Sequence, residues 1–191
     1  MPILTYIQDL KKHEVLLAEA DKYKPKLIIE IGTMPWAIGA PLFESYGMST
    51  WKLGEYAQNE GAEFHSCDIN PESVENCTNT LKHYNVTGVI LHCNDGTKFL
   101  EEVATWGKKI DLLYLDNASE PDITLQQFKT AEPLMSDNSV IILDDCHSDE
   151  YGEYSKGTTT IPYADKNGYT VIFYEIPTSR TKMAVITKEI R

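Results

Sequence analysis

One rhythm constrains this chain more than any other feature: short, nearly unbroken apolar runs alternate with segments that carry helix signals. Lys26–Ile31 (KLIIEI), Ala62–Asp68 (AEFHSCD), Gly88–Cys93 (GVILHC), Ile110–Leu115 (IDLLYL) and Val140–Leu143 (VIIL) read as strands. Runs without polar alternation are what strands covered on both faces look like. Between them lie helical stretches at about 49–59, 71–84, 97–106 and 121–135, the second opened by Asn70-Pro71 as cap and first helical residue. Five strands separated by helices imply parallel βαβ units with right-handed crossovers. The end breaks the rhythm. Tyr169–Glu175 and Lys182–Lys188 are two strands whose short link leaves no room for a crossover helix, so they pair antiparallel. The expected fold is therefore α/β, a Rossmann-like doubly wound sheet of seven strands, five parallel plus a C-terminal antiparallel hairpin.

The 191 residues suffice for one core, and no linker-like or repeated stretch divides them, so 1–191 reads as a single domain. An amphipathic helix at 5–22, within an N-terminal segment 1–24, precedes the first strand and is a candidate interface for a homodimer. A net charge of −12 with no basic run argues against nucleic acid as a partner. No apolar stretch is long enough to cross a membrane, and the start lacks the apolar core of a signal peptide. Cys67, Cys77, Cys93 and Cys146 show no CxxC spacing, which fits free thiols in a reducing cytoplasm.

In an open parallel sheet, ligands bind outside the carboxyl ends of the strands. Read in order, those ends are Glu30-Ile31-Gly32-Thr33, Asp68-Ile69, Asn94-Asp95-Gly96, Asp116-Asn117 and Asp144-Asp145-Cys146-His147. All five strands thus bring a carboxylate to one edge, as a shared ligand pocket requires.

This order of motifs, closed by the hairpin, resembles the class I S-adenosylmethionine-dependent methyltransferases over about residues 26–188. The resemblance implies S-adenosylmethionine as cofactor. Glu30, Gly32 and Thr33 would pass under its methionine part, Asp68 with Ile69 would hold the ribose, and Asn94, Asp95 and Gly96 would sit by the adenine. The family's turn normally closes with a nearby Gly-x-Ser-Thr; here that pattern stands at Gly47-Met48-Ser49-Thr50, with Gly39 as a competing choice. Residues 34–46 then read as an insertion, either a flap over the cofactor or a surface loop packed by Trp36 and Phe43.

Asp116, Asp144 and Asp145 end neighbouring strands and offer hard oxygen ligands suited to Mg²⁺ or another divalent cation. They resemble the metal site of the catechol O-methyltransferase-like branch, in which the cation activates the acceptor hydroxyl. The alternative is that Asp145 caps the following turn and Asp144 faces solvent. That branch's lysine base is missing after strand four, where Ser119 and Glu120 stand. His147 is the replacement candidate, with Asp116 beside it, although His147 equally suits a metal ligand or an exposed loop residue. The polar stretch 148–168 reads as a lid over the acceptor or as flexible surface.

The implied activity is divalent-metal-assisted O-methylation of a small hydroxylated molecule. N-methyl transfer on the same cofactor and a non-catalytic binding module are the alternatives. A nicotinamide dehydrogenase is disfavoured, because no compact Gly-x-Gly-x-x-Gly is present.

Overall fold

Ile28, Leu112, Val140 and Ile142 pack into one apolar cluster, while Ile29, Leu113, Ile141 and Leu143 pack into another, and all are 0–2% exposed. Successive strand residues point to opposite faces, so a run such as LIIEI is apolar throughout because both faces are covered. The computed structural model describes residues 4–7, 11–39, 48–117, 120–148, 155–176 and 181–188; at 4–7 and 147–148 it describes backbone only.

The described chain runs β1 (Leu4–Ile7), α1 (Lys12–Tyr23), β2 (Leu27–Ile31), α2 (Ser49–Glu60), β3 (Glu63–Asp68), α3 (Pro71–His83), β4 (Val89–Cys93) and α4 (Gly96–Val103). It continues through β5 (Ile110–Leu115), α5 (Pro121–Ala131), β6 (Met135–Ser148), α6 (Gly157–Lys166), β7 (Tyr169–Ile176) and β8 (Thr181–Lys188). Single 3₁₀ turns at Ala104–Trp106 and Glu132–Leu134 finish α4 and α5 where the sequence suggested continuous helix.

One sheet holds every described strand, in the order β1-β7-β8-β6-β5-β2-β3-β4. The expected seven strands are all present: β2 to β6 pair in parallel, and β8 is antiparallel to both β6 and β7. The eighth is a correction. Residues 4–7, read as the start of a helix, form a strand that pairs in parallel with β7, and the helix begins only at Lys12.

Helices α1 and α2 cover one face through Val15, Leu16, Ala20, Leu53 and Tyr56. Helices α4, α5 and α6 cover the other through Phe99, Leu100, Phe128, Ala131, Ile161 and Ala164. Val15, Leu16 and Ala20 are fully buried, so the apolar face of α1 packs within the chain. Burial of side chains of this size contributes about 1.5–3 kcal/mol each, which fixes α1 to the sheet.

Strand order reverses between β2 and β5, and this switch point opens a crevice at the carboxyl ends. The seam is tight. Gly32 N–H donates to the Cys67 carbonyl at 2.8 Å, and Asp116 N–H donates to the Ile31 carbonyl at 2.7 Å. Gly32 has φ +99°, and a Cβ there would run into the Asp116 carbonyl oxygen. Only glycine permits both this dihedral and this approach.

Candidate functional site

A pocket of about 180 Å³ lies in that crevice, lined by Ile31, Gly32, Cys67, Asp68, Ile69, Asp95, Gly96, Asp116, Asn117, Ile123 and Gln127. Eight of these, Ile31, Gly32, Asp68, Ile69, Asp95, Gly96, Asp116 and Asn117, are strand-end residues that the sequence brings to this edge. A second cavity of about 200 Å³ lies at the opposite end of the sheet, near Met135, Ser139 and Tyr169, away from all these carboxyl ends.

Ile69 and Ile123 leave 70% and 39% of their surface exposed. Two apolar side chains left bare on a pocket wall suit a flat ligand between them. Asp68 is pre-oriented: its Oδ2 accepts from Thr33 N–H at 3.1 Å and its Oδ1 from Asn70 N–H at 2.7 Å. Burial pushes its carboxyl above the usual range, with those backbone donors opposing. Asp95 caps α4 by accepting from Lys98 N–H at 3.0 Å, while the Asn94 side chain accepts from Asp95 N–H at 2.9 Å. On the pocket floor Asn117 donates to Gln127 Oε1 and accepts from Thr124 Oγ1 at 3.0 Å.

Glu30 and Thr33, which flank the lining residues Ile31 and Gly32, are 0% and 2% exposed. Glu30 Oε2 accepts from Ser66 Oγ and from Thr50 Oγ1 at 2.7 Å, and Thr33 Oγ1 pairs with Ser66 Oγ at 2.7 Å. Glu30 Oε1 is buried with no partner. A buried carboxylate oxygen held ready in this way suits a cationic group of a ligand. Ser49, the first residue of α2, is buried beside the same carboxyl. Gly47, the other half of the expected Gly-x-Ser-Thr, lies outside the described residues, as do residues 40–46. Of residues 34–39, Met34 and Trp36 pack inward, while Pro35 and residues 37–39 are exposed: Met34 N–H donates to Thr50 Oγ1 at 2.9 Å, and Trp36 packs against the cluster of Met34, Trp51, Cys77, Leu81 and Val86.

Burial pushes Glu30 up from 4.5 to about 7, with Ser66, Thr50 and Ser49 opposing. The native state therefore holds the proton more tightly than the unfolded chain. Stability is undiminished below pH 4.5, falls as pH rises through that interval, and stays low above about 7. The span corresponds to about 3 kcal/mol. Glu30→Gln should flatten this slope and be the more stable protein at pH 8, as read by denaturant titration at pH 5, 6.5 and 8.

Asp116, Asp144 and Asp145 converge as expected, with ligand atoms all within 4.8 Å of one another. The sequence did not disclose their partners. Lys12 Nζ lies 2.8 Å from Asp144 Oδ2 and 2.7 Å from Asp145 Oδ1. Lys156 Nζ lies 2.5 Å from Asp116 Oδ1 and 3.5 Å from Asp145 Oδ2. Tyr114, 1% exposed, donates its hydroxyl to Asp144 Oδ2 at 2.9 Å. Asp144 is likewise 1% exposed, so the solvent-facing alternative for it is corrected. Burial pushes the Asp116 carboxyl up to about 6; Lys156 and Lys12 oppose this, and Asp144 and Asp145 add to it. Asp145 is held below its usual value because Lys156 and Lys12 outweigh its burial.

Lys156 comes from the stretch expected to be a long polar connection. Instead, its second half forms α6, docked under β6. Gly157 comes so close that a Cβ would run into the Cys146 carbonyl, and Ser155 Oγ donates to that same carbonyl. Thr159 Oγ1 donates to the Pro121 carbonyl at 2.7 Å. Residues 149–154 and 118–119 lie outside the described residues, including Ser119. His147 stands in β6 opposite Lys182, and its side chain is also outside the described set.

The family model described as "Methyltransferase domain" matches residues 44–146. No curated protein matches the sequence significantly. Solved structures share the fold. The O-methyltransferase TomG from Streptomyces achromogenes, involved in tomaymycin synthesis and in complex with S-adenosylmethionine, is 16% identical with a TM-score of 0.72, covering 94% of this chain and 80% of that one. An O-methyltransferase from Bacillus cereus in complex with S-adenosylhomocysteine is 13% identical with a TM-score of 0.69, covering 93% and 80%. The S-adenosylhomocysteine-bound methyltransferase PaMTH1 of Podospora anserina is 18% identical with a TM-score of 0.67, covering 94% and 78%.

Proposed function

The chain belongs to the methyltransferase-domain family, and from that premise we propose that it transfers the methyl group of S-adenosylmethionine to a hydroxyl oxygen of a small molecule. The observation that carries this reading is the crevice at the strand ends in which Gly32, Asp68, Ile69, Asp95, Gly96 and Asp116 converge; beside its lining residue Ile31, Glu30 keeps one buried oxygen unpartnered.

When bound, S-adenosylmethionine supplies an electrophilic methyl group on a sulfonium. The residues present fit such a ligand. Glu30 Oε1 is the acceptor for its ammonium group, and Asp68 takes the ribose hydroxyls, for which a carboxylate already oriented by two backbone donors loses little entropy. Ile69 and Ile123 take the faces of the adenine, and Asp95 its edge. Asp116, at the pocket wall, and His147, further along the adjoining strand, are our candidates to receive the hydroxyl proton as oxygen attacks. Neighbours that carry O-methyltransferase names favour oxygen over nitrogen as the acceptor atom.

A divalent cation on Asp116, Asp144 and Asp145 is the finer reading raised by the sequence. The spacing of their oxygens speaks for it. The donor set speaks against it, since each carboxylate already faces an ammonium group, and we route no step through a metal. We take residues 1–191 as one catalytic domain. All four cysteines are free, and Cys67, Cys77 and Cys146 are buried, in keeping with a reducing cytoplasm. Among the described residues no helix is long and apolar enough to cross a membrane.

Calorimetry with S-adenosylmethionine and S-adenosylhomocysteine tests the proposal. The wild-type chain should bind both, and Asp68→Ala should weaken binding by about tenfold to a hundredfold, the worth of one or two hydrogen bonds to a charged group. Absence of binding to either compound would end the methyltransferase reading.

A further inference from the structure

We infer that Lys12 and Lys156 fill, as built-in ammonium groups, the place the acid cluster would otherwise offer a divalent cation, so that this site works without a metal. The inference rests on the methyltransferase reading for its catalytic meaning, but its geometry stands apart from the cofactor.

Charge is the first consideration. Three carboxylates and two ammonium groups leave a residual charge of −1. Adding a divalent ion would reverse that to +1 beside a pocket intended for a sulfonium. Restoring balance would require expelling a lysine, and neither has an easy exit. Lys156 is 2% exposed and Lys12 12%. The backbone at Lys156 is pinned by Gly157 and Ser155 against the Cys146 carbonyl. Lys12 opens α1, which is fixed by fully buried Val15 and Leu16. An ammonium pushed off its carboxylates would stay desolvated and unpaired, the costliest arrangement for a charge.

Placement is the second. Lys12 is the first residue of α1, and Lys156 immediately precedes Gly157 of α6. Both cations thus sit at helix N-termini, where the helix dipole disfavours them. Helix stability does not explain two such positions; the acids they face do. Asp145 adds a third observation. Its φ of +43° is a left-handed conformation for a non-glycine residue, at the bulge where β6 changes register against β8. That conformation sets its two oxygens toward different partners, Oδ1 to Lys12 and Oδ2 to Lys156. The Tyr114 hydroxyl and the Asp145 N–H complete the donors to Asp144, at its Oδ2 and Oδ1 respectively. The cluster is satisfied from within by elements far apart in the chain.

Mn²⁺ titration followed by electron paramagnetic resonance of the free ion tests this directly. The wild-type chain should show no saturable uptake up to millimolar ion, and its S-adenosylhomocysteine affinity should be the same with and without EDTA. Lys156→Met, which keeps an apolar stem and drops the charge, should take up Mn²⁺ at least about tenfold more tightly than wild type. Asp144→Asn in that background should remove the gain. Saturable Mn²⁺ binding by the wild type that is lost in Asp144→Asn would overturn the inference, as would a folded Lys156→Met that gains nothing. If Lys156→Met does not fold, the wild-type titration decides alone. Failure of the wild type to bind S-adenosylhomocysteine would count against the methyltransferase reading and leave the Mn²⁺ result standing.

Discussion

Gly32→Ala should lower stability by about 4 kcal/mol and abolish binding of the cofactor, whereas Gly61→Ala should cost about 1 kcal/mol. The two glycines share a positive φ, +99° and +71°, so the dihedral alone does not separate them. What separates them is space. Gly61 ends α2 with nothing within 4 Å of an added Cβ, while at Gly32 the Asp116 carbonyl stands in the way. The obstacle is backbone, held by the Asp116 N–H bond to the Ile31 carbonyl, so relief requires β2 and β5 to part. Parting them moves Gly32 and Asp116 away from each other and opens the crevice floor. Denaturant unfolding of both variants, with cofactor calorimetry on each, checks the contrast. A Gly32→Ala protein within about 1 kcal/mol of Gly61→Ala would show that the seam is not close-packed.

Lys156→Met should cost about 3–5 kcal/mol, the usual result of removing one partner from a buried ion pair. Lys156 is 2% exposed and Asp116 26%, so solvent relieves only part of the stranded charge. The double variant Lys156→Met with Asp116→Asn should recover a good part of that loss, because an amide costs less to bury than a carboxylate. Additive losses in the cycle would mean that the two groups do not interact. The same cycle on Lys12 and Asp144 reads the other half of the network.

The strands were legible because runs such as Leu27–Ile31 and Ile110–Leu115 are short, β-branched or Leu-rich and apolar on both faces, the pattern of strands covered on both sides. Their carboxyl ends followed from topology, and with them the pocket residues Gly32, Asp68, Asp95 and Asp116. What stayed hidden depends on contacts distant in sequence. Leu4–Ile7 has helix-like spacing with the residues beyond it, and only pairing with β7, more than 160 positions on, makes it a strand. Helix α6 is written in Gly, Thr and Pro, all poor helix formers; burial of Thr160, Ile161 and Ala164 against α5 and the sheet overrides propensity. Lys12 and Lys156 carried no local mark, since a flexible lysine in a polar segment usually faces solvent. The one available signal was the dipole, which both defy. Ile123 and Gln127 were hidden for a simpler reason: they come from the first turns of α5, and strand ends alone were read.

The position of β1 has a consequence in time. Its partner, β7, begins at Tyr169, and the carboxylates awaiting Lys12 lie 132 and 133 residues further along the chain. During synthesis Leu4–Ile7 leaves the ribosome long before Tyr169–Ile176, so it has no strand to pair with until those residues have been made. Residues 27–115 can assemble β2, β3, β4 and β5 in the meantime, with Asp116 not yet matched by Lys156. β1 and Lys12 are therefore made well before their partners and settle late, and their arrival closes both the edge of the sheet and the charge balance at its centre.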